Sequence, residues 1–248
     1  MKKIGIQLYT VRDYMTKEQN IKELFQDLKA AGYDEVEIFG NIENMLPALK
    51  CAAELDLEIA GTICNLNDYS DREKTVKWCR DFGIKCLGVS ASEFASAGEV
   101  EKFIQEANQL SRFLSQYGLS ISYHNHSHEF RKYEFGKTAF ERMVDELDHN
   151  IGFVLDTYWV QHGGGDVRHW LDVLGNRITT LHMKDMKRIE NNQVTYAPLG
   201  EGNLWWEGII AKAEEIGVRH FIVEQDECDG DSLECAKRSI AYIKKYLK

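Results

Sequence analysis

A closed α/β barrel is the fold class that the 248-residue chain predicts, and three observations predict it. Short β-rich runs alternate with longer amphipathic runs. A glycine closes several of the amphipathic runs just before the next apolar run, the place of a helix C-terminal glycine. The strand candidates number eight, the count of a (β/α)8 barrel, which typically takes ~250 residues as one domain.

In chain order the strand candidates are IGIQLY (residues 4–9), VEIF (36–39), LEIAGTI (57–63) and IKCLGVS (84–90), then LSISYH (119–124), IGFVLD (151–156), ITTLHM (178–183) and HFIVEQ (220–225). Each is a short run rich in β-branched and aromatic residues. Between the first two lies IKELFQDLKAAGY, which puts Ile21, Leu24, Phe25, Leu28 and Ala31 on one helical face. Gly32, Gly83, Gly118 and Gly217 occupy the helix-ending position. Strand, helix, glycine, strand reads as parallel βα units. An open doubly wound sheet usually carries a Gly-rich phosphate turn after its first strand, whereas LYTVRD stands here. The only prolines are Pro47 and Pro198, and no Ser/Gly-rich linker interrupts the chain. The expectation is a single-domain TIM barrel over residues 1–248.

Apolar residues make up 44% of the chain, enough for a sizeable core, and the net charge is −10. That charge disfavours nucleic acid as a partner, because neutralising phosphates takes a basic face. The six cysteines show no CxxC spacing and read as free thiols of a reducing compartment. MKKIGIQLYTVRD reaches Arg12 too soon for a signal peptide, and no apolar run approaches the ~20 residues of a membrane span. The expectations are a cytoplasmic location, no membrane partner and a possible homo-oligomer.

In a barrel of this kind functional side chains sit at the C-terminal ends of the strands. The polar residues read at those ends are His124 on the fifth strand, Asp156 on the sixth, His182 on the seventh and Glu224 on the eighth. Each has an ordinary structural use: Asp156 as a helix N-cap, the histidines as hydrogen-bonded core residues, Glu224 as an edge charge. Four such residues at four successive strand ends is an improbable coincidence. Two imidazoles and two carboxylates suit one divalent ion such as Mn, Zn, Co, Fe or Mg. The surrounding ISYHNHSHEF leaves the strand-five ligand open among His124, His126 and Glu129. Glu37, Tyr9 and Gln7, Cys64 and Asn65, Trp159, and Lys184 with Asp185 are further candidates for the same mouth. Trp159 offers an aromatic face of the type that packs on sugar C–H surfaces. GGGD (163–166) reads as a turn with Asp166 as an N-cap, and PLGEG (198–202) as a mobile cover over the pocket.

The motifs YHNHSHEF, LDTYWVQHGGGD, LHMKD, LGEGNLWW and FIVEQDE, with the opening IGIQLYTVRD, resemble the sugar phosphate isomerase/epimerase family, which has a xylose isomerase-like barrel. The similarity covers essentially the whole chain. It implies one divalent metal held by residues of strands five to eight, which map onto His124, Asp156, His182 and Glu224. Ketose epimerases of that family use glutamate where His124 stands, and two glutamates move the protons. With Glu224 alone retained, His126 or Glu129 becomes the candidate for the second proton-transfer group.

The expected function is a metal-dependent isomerase or epimerase of a keto-sugar or related polyol. Glu224 would remove the proton beside a metal-bound carbonyl to give an enediolate. Lys184, His126 and Glu129 are the accompanying catalytic candidates, and Glu37, Tyr9, Cys64 and Trp159 the substrate-binding ones. A lyase or dehydratase acting on a 3-keto sugar or glycoside shares the first step. A non-catalytic sugar-binding barrel is the rival from another class, and a nuclease is disfavoured by the charge.

Overall fold

The computed structural model describes the chain except residues 1, 17, 92, 134, 135 and 248, and leaves the side chains of 18 and 19 undescribed. Eight parallel strands close into a barrel. They are β1 (Lys3–Gln7), β2 (Glu35–Phe39), β3 (Glu58–Asn65), β4 (Cys86–Ser90), β5 (Ser120–His124), β6 (Gly152–Asp156), β7 (Ile178–Met183) and, after an excursion, β10 (His220–Val223). All eight strand candidates are found, with ends shifted by up to two residues. β1 stops at Gln7 because residues 8–16 wind into 3-10 turns, which carries Tyr9 off the ladder. β3 runs on to Asn65.

The helices wrap the barrel as α1 (Glu18–Ala31), α2 (Leu46–Glu54), α3 (Arg72–Phe82), α4 (Ala97–Ser115), α5 (Ala139–Glu146), α6 (Thr157–His162), α7 (Val167–Leu174), α8 (Trp206–Glu215) and α9 (Ser232–Ile243). On α1 the periodic face is the packed one: Leu24, Phe25 and Leu28 are buried, and Ala31 is half-buried at the end. Gly32, Gly83, Gly118 and Gly217 all take positive φ, the left-handed conformation that ends a helix at little cost only in glycine. Asp166 caps α7 by accepting from the His169 N–H (2.7 Å).

The element the sequence reading missed is an antiparallel hairpin between β7 and α8, β8 (Asp185–Arg188) with β9 (Val194–Ala197). Asn191 and Asn192 turn it at φ 59° and 61°. Asparagine tolerates that region better than most residues. Residues 198–202 follow the hairpin, and they are pinned rather than mobile. Buried Asp185 accepts from Gly200 N (2.9 Å), Gly202 N (3.1 Å), Leu204 N (3.2 Å) and the Trp206 indole (2.8 Å).

The barrel ladders place the strand ends in register. Asp156 pairs with His182, Ile222 also pairs with His182, and the Glu224 N–H continues the ladder to Met183 O (3.1 Å). The C-terminal residues of β6, β7 and β10 are thereby neighbours around one arc of the mouth. No helix among the described residues is long and apolar enough to cross a membrane.

Candidate metal centre

At that arc His124, Asp156, His182 and Glu224 converge. Each offers one ligand atom, and these atoms lie within 4.8 Å of one another. All four side chains are buried. The loops behind them are tied strand to strand. Asn125 accepts from the Asp156 N–H (3.0 Å), joining the end of β5 to that of β6. The Thr157 hydroxyl accepts from Lys184 N (3.0 Å) and lies within bonding distance of the carbonyls of His182 and Lys184, joining β6 to β7.

Asp156 serves two purposes at once. Its Oδ1 accepts from Trp159 N (2.9 Å) and caps α6, while Oδ2 is buried without a hydrogen-bond partner. Both ring nitrogens of His124 are likewise buried and unpartnered. Burying polar atoms without partners is costly, so three such atoms aimed into one cluster mark a place for a cation.

His182 is held from both sides, with Nδ1 2.7 Å from Glu224 Oε2 and Nε2 2.6 Å from Glu37 Oε2. Burial alone would lower its pKa, but the charges of Glu37 and Glu224 and their hydrogen bonds outweigh it and push it up to about 10. Burial drives His124 the other way, well below the usual imidazole range, helped by the charge of His182. It is therefore a neutral donor. For Glu224 burial would raise the carboxyl, yet the Lys184 ammonium and His182 together hold it well below the usual range. Burial raises Asp156, opposed by Lys184.

Lys184 is fully enclosed, 3.2 Å from Asp156 Oδ2, 3.2 Å from Glu224 Oε2 and 2.7 Å from Asp226 Oδ1. Burial works against its charge, and the three carboxylates outweigh burial and raise its pKa. Four carboxylates, Glu37, Asp156, Glu224 and Asp226, face two cations, Lys184 and a protonated His182. The excess of negative charge, the unpartnered donor atoms and the N/O donor set all fit a divalent ion.

Beside the cluster opens a cavity of about 280 Å³, lined among others by Tyr9, Phe39, His126, Trp159, Lys184 and Glu224. Besides His124 and Glu224, five of the residues expected at the mouth, Gln7, Tyr9, His126, Trp159 and Lys184, thus face it. Trp159 stands with its ring centroid 5.1 Å from the Lys184 ammonium and 5.6 Å from the His126 ring. His126 is pushed down to about 3 by burial and by the neighbouring His124 and Lys184, so it is neutral.

Three expectations change. Glu37 is 2% exposed and does not line the cavity; its carboxylate accepts from Gln7 Nε2 (2.7 Å) and fixes His182 from behind. A carboxylate on a ring nitrogen fixes the orientation of an imidazole, and Glu37 meets the His182 ring rather than the cavity. Cys64 is also turned away, its Sγ donating to Gly40 O (2.7 Å). Glu129, expected to move a proton, is sealed in. It accepts from the Tyr123 hydroxyl (2.5 Å) and from His126 N (3.0 Å to each oxygen), and burial raises its carboxyl to about 7.

Sequence reading missed Asp226 and Tyr196. Asp226 lies two residues past Glu224, beyond the end of β10, and binds Lys184 while lining the cavity. Tyr196 comes from the unforeseen β9, stacks on Tyr158 (4.4 Å) and has the Lys184 ammonium 5.9 Å above its ring. The first could have been found by reading past the strand end; the second needed the hairpin.

Known proteins share this scaffold. Residues 25–246 match the family model described as a xylose isomerase-like TIM barrel. An inosose dehydratase of Lactiplantibacillus plantarum is 23% identical over 93% of this chain and 90% of that protein. A sugar phosphate isomerase/epimerase from Parabacteroides distasonis superposes with TM-score 0.83 at 21% identity, covering 99% of this chain and 98% of the other. An IolI protein with a bound zinc atom superposes with TM-score 0.75 at 16% identity, over 98% and 99%. The chain belongs to the xylose isomerase-like TIM barrel family.

Proposed function

We propose that the chain is a divalent-metal-dependent enzyme that modifies a keto-sugar or keto-polyol by moving a proton at the carbon next to the carbonyl. The observation that carries this reading is the convergence of His124, Asp156, His182 and Glu224 beside a small cavity whose wall includes His124 and Glu224. The zinc atom in the similar IolI structure supports the same kind of ion here. An ion held by these four residues supplies Lewis-acid polarisation of a substrate carbonyl, which acidifies the neighbouring C–H.

The chain's own residues divide the remaining work. Glu224 is kept ionised by Lys184 and His182 and stands at the cavity wall, as a base for that proton must. Lys184, fixed by Asp226, brings a positive charge to the wall, where it stabilises a developing enediolate oxyanion. Trp159 and Tyr9 offer apolar faces to the C–H side of a ring. Glu37 holds the imidazole of His182 in one orientation.

Return of the proton at another carbon or face gives isomerisation or epimerisation. Loss of water from the same intermediate gives dehydration. The second outcome draws support from two features. The second carboxylate of the cavity, Asp226, is engaged by Lys184 (2.7 Å), which leaves Lys184 and neutral His126 beside Glu224, and the L. plantarum relative is an inosose dehydratase. The lysine ammonium can hydrogen-bond to a departing hydroxyl and stabilise its charge.

The test is incubation in D2O with keto-sugars, keto-inositols and 3-keto-glycosides, followed by NMR. The expected result is deuterium at the carbon next to the carbonyl in product or recovered substrate, dependent on added metal. Glu224→Gln should lower the rate by ~10²–10⁴, the usual worth of a positioned base. Turnover with complete retention of hydrogen would replace this mechanism by a hydride shift. Binding without exchange or turnover would make the barrel a sugar binder.

A further inference from the structure

His126, His128 and Glu129 lie on the turn that follows β5, outside the ring of four strand-end residues. One ligand atom from each comes within 4.8 Å of the other two. His126 Nδ1 and His128 Nε2 are buried and have no hydrogen-bond partner. The two rings stack with centroids 5.8 Å apart and planes at 20°. Glu129 is fully buried. Its Oε1 takes the Tyr123 hydroxyl, while Oε2 takes only a share of the His126 N–H bond and lies 3.4 Å from His128 Nδ1. A carboxylate has about four lone-pair sites, so acceptor capacity remains. The loop is held by the bonds to Tyr123 and His126 N. Those bonds account for Glu129 but leave the two imidazoles unexplained.

We propose that His126, His128 and Glu129 form a second divalent-cation site beside the strand-end cluster. Two imidazoles and one carboxylate suit Zn²⁺ or Co²⁺, and a three-residue set leaves a coordination position for water or a small ligand. The side chain of His128 is 17% exposed, which gives an ion a way in. Among facing charges Glu93 favours a cation at His128, and Arg131 opposes it. The Arg131 guanidinium is drawn toward Phe94 O (2.6 Å). The His124 ring meets His126 edge-on at 4.9 Å, so the two sites adjoin, and His126 also lines the substrate-sized cavity. The site requires no particular substrate or reaction, so it stands independently of the function proposed above.

The test is titration of the chelator-stripped 248-residue chain with Co²⁺, followed by visible absorption and calorimetry. Two equivalents per chain are expected. His128→Ala should leave one, Asp156→Asn should leave the other, and the double variant none. Glu129→Gln keeps an acceptor for the loop bonds and should weaken the second equivalent at least tenfold. His169→Ala, at an exposed histidine elsewhere, should retain both. Matching melting curves establish that His128→Ala is folded. Saturation at one equivalent that Asp156→Asn abolishes would overturn the proposal. So would a second equivalent that survives both His128→Ala and Glu129→Gln. One equivalent lost in His128→Ala but kept in Asp156→Asn would support this site and sink the strand-end one.

Discussion

Two buried aspartates, Asp156 at the end of β6 and Asp185 just past β7, meet the cost of burial in opposite ways. Asp185 is saturated: Oδ1 accepts from Met186 N and Leu204 N, and Oδ2 from Gly200 N, Gly202 N and the Trp206 indole. Neutral donors drawn from one loop surround it, and its effect is to fasten that loop. Asp156 has one oxygen capping a helix and the other without a hydrogen bond, 3.2 Å from the Lys184 ammonium and facing His124 and His182. The difference teaches how to separate a structural carboxylate from a binding one. Burial is common to both, and an unmet acceptor facing cationic and metal-capable groups belongs to only one.

The largest effect should come from breaking the Asp156 side. Asp156→Asn keeps an oxygen for the Trp159 cap and leaves Lys184 with Glu224 and Asp226. Ion content at the strand-end cluster should fall from about one per chain to none, while chelator-treated protein loses only about 1–2 kcal/mol of stability. Elemental analysis and urea unfolding check the two halves. Asp185→Ala should reverse the pattern. It strips five donors of their acceptor and should cost about 3–4 kcal/mol in urea unfolding, with ion content at that cluster unchanged in the folded fraction.

Glu37→Gln sharpens the comparison, since Glu37 touches the cluster only through His182. Ion affinity should fall 10–100-fold by calorimetry, the usual worth of such a support.

The pH dependence follows from His182, whose pKa is raised to about 10. A ligating nitrogen must lose its proton, so ion binding should release about one proton near neutral pH, and apparent affinity should rise about tenfold per pH unit up to that value. The effect on folding has the opposite direction. A pKa raised above the unfolded value of ~6.5 stabilises the ion-free protein fully below ~6.5, and this stabilisation is lost as pH rises through about 10. Calorimetry in two buffers of different ionisation enthalpy and urea unfolding across pH 6–10 measure both. Trp159→Phe, which keeps a smaller aromatic face, should have the least effect, a several-fold rise in KM in the D2O assay.

The barrel was legible because its strands are continuous apolar runs that end at glycines or polar turns, as strands covered on both faces must be. The β8–β9 hairpin was not, because DMKR and VTYA are only four residues each, partly exposed, the first of them mostly charged, and only Asn191 and Asn192 mark the turn. The strand-end positions of His124, Asp156, His182 and Glu224 could be read off the chain, since in a parallel barrel the C-terminal ends of all the strands open on one mouth. What lies behind them could not. Glu37 reaches His182 across 145 residues of sequence, a contact made only when the barrel closes between β1 and β10. Glu129 looked like a free carboxylate beside three histidines. Only the packed loop reveals that Tyr123 and His126 N already hold it.

The unpartnered atoms of the strand-end cluster are predicted to bind a cation. Anomalous diffraction from crystals grown with Zn²⁺ tests it most directly. A peak is expected ~2.0–2.2 Å from one atom each of His124, Asp156, His182 and Glu224, with Lys184 still joined to Asp226. A cluster with no anomalous density at saturating zinc, with Lys184 still between Asp156 and Glu224, would contradict it.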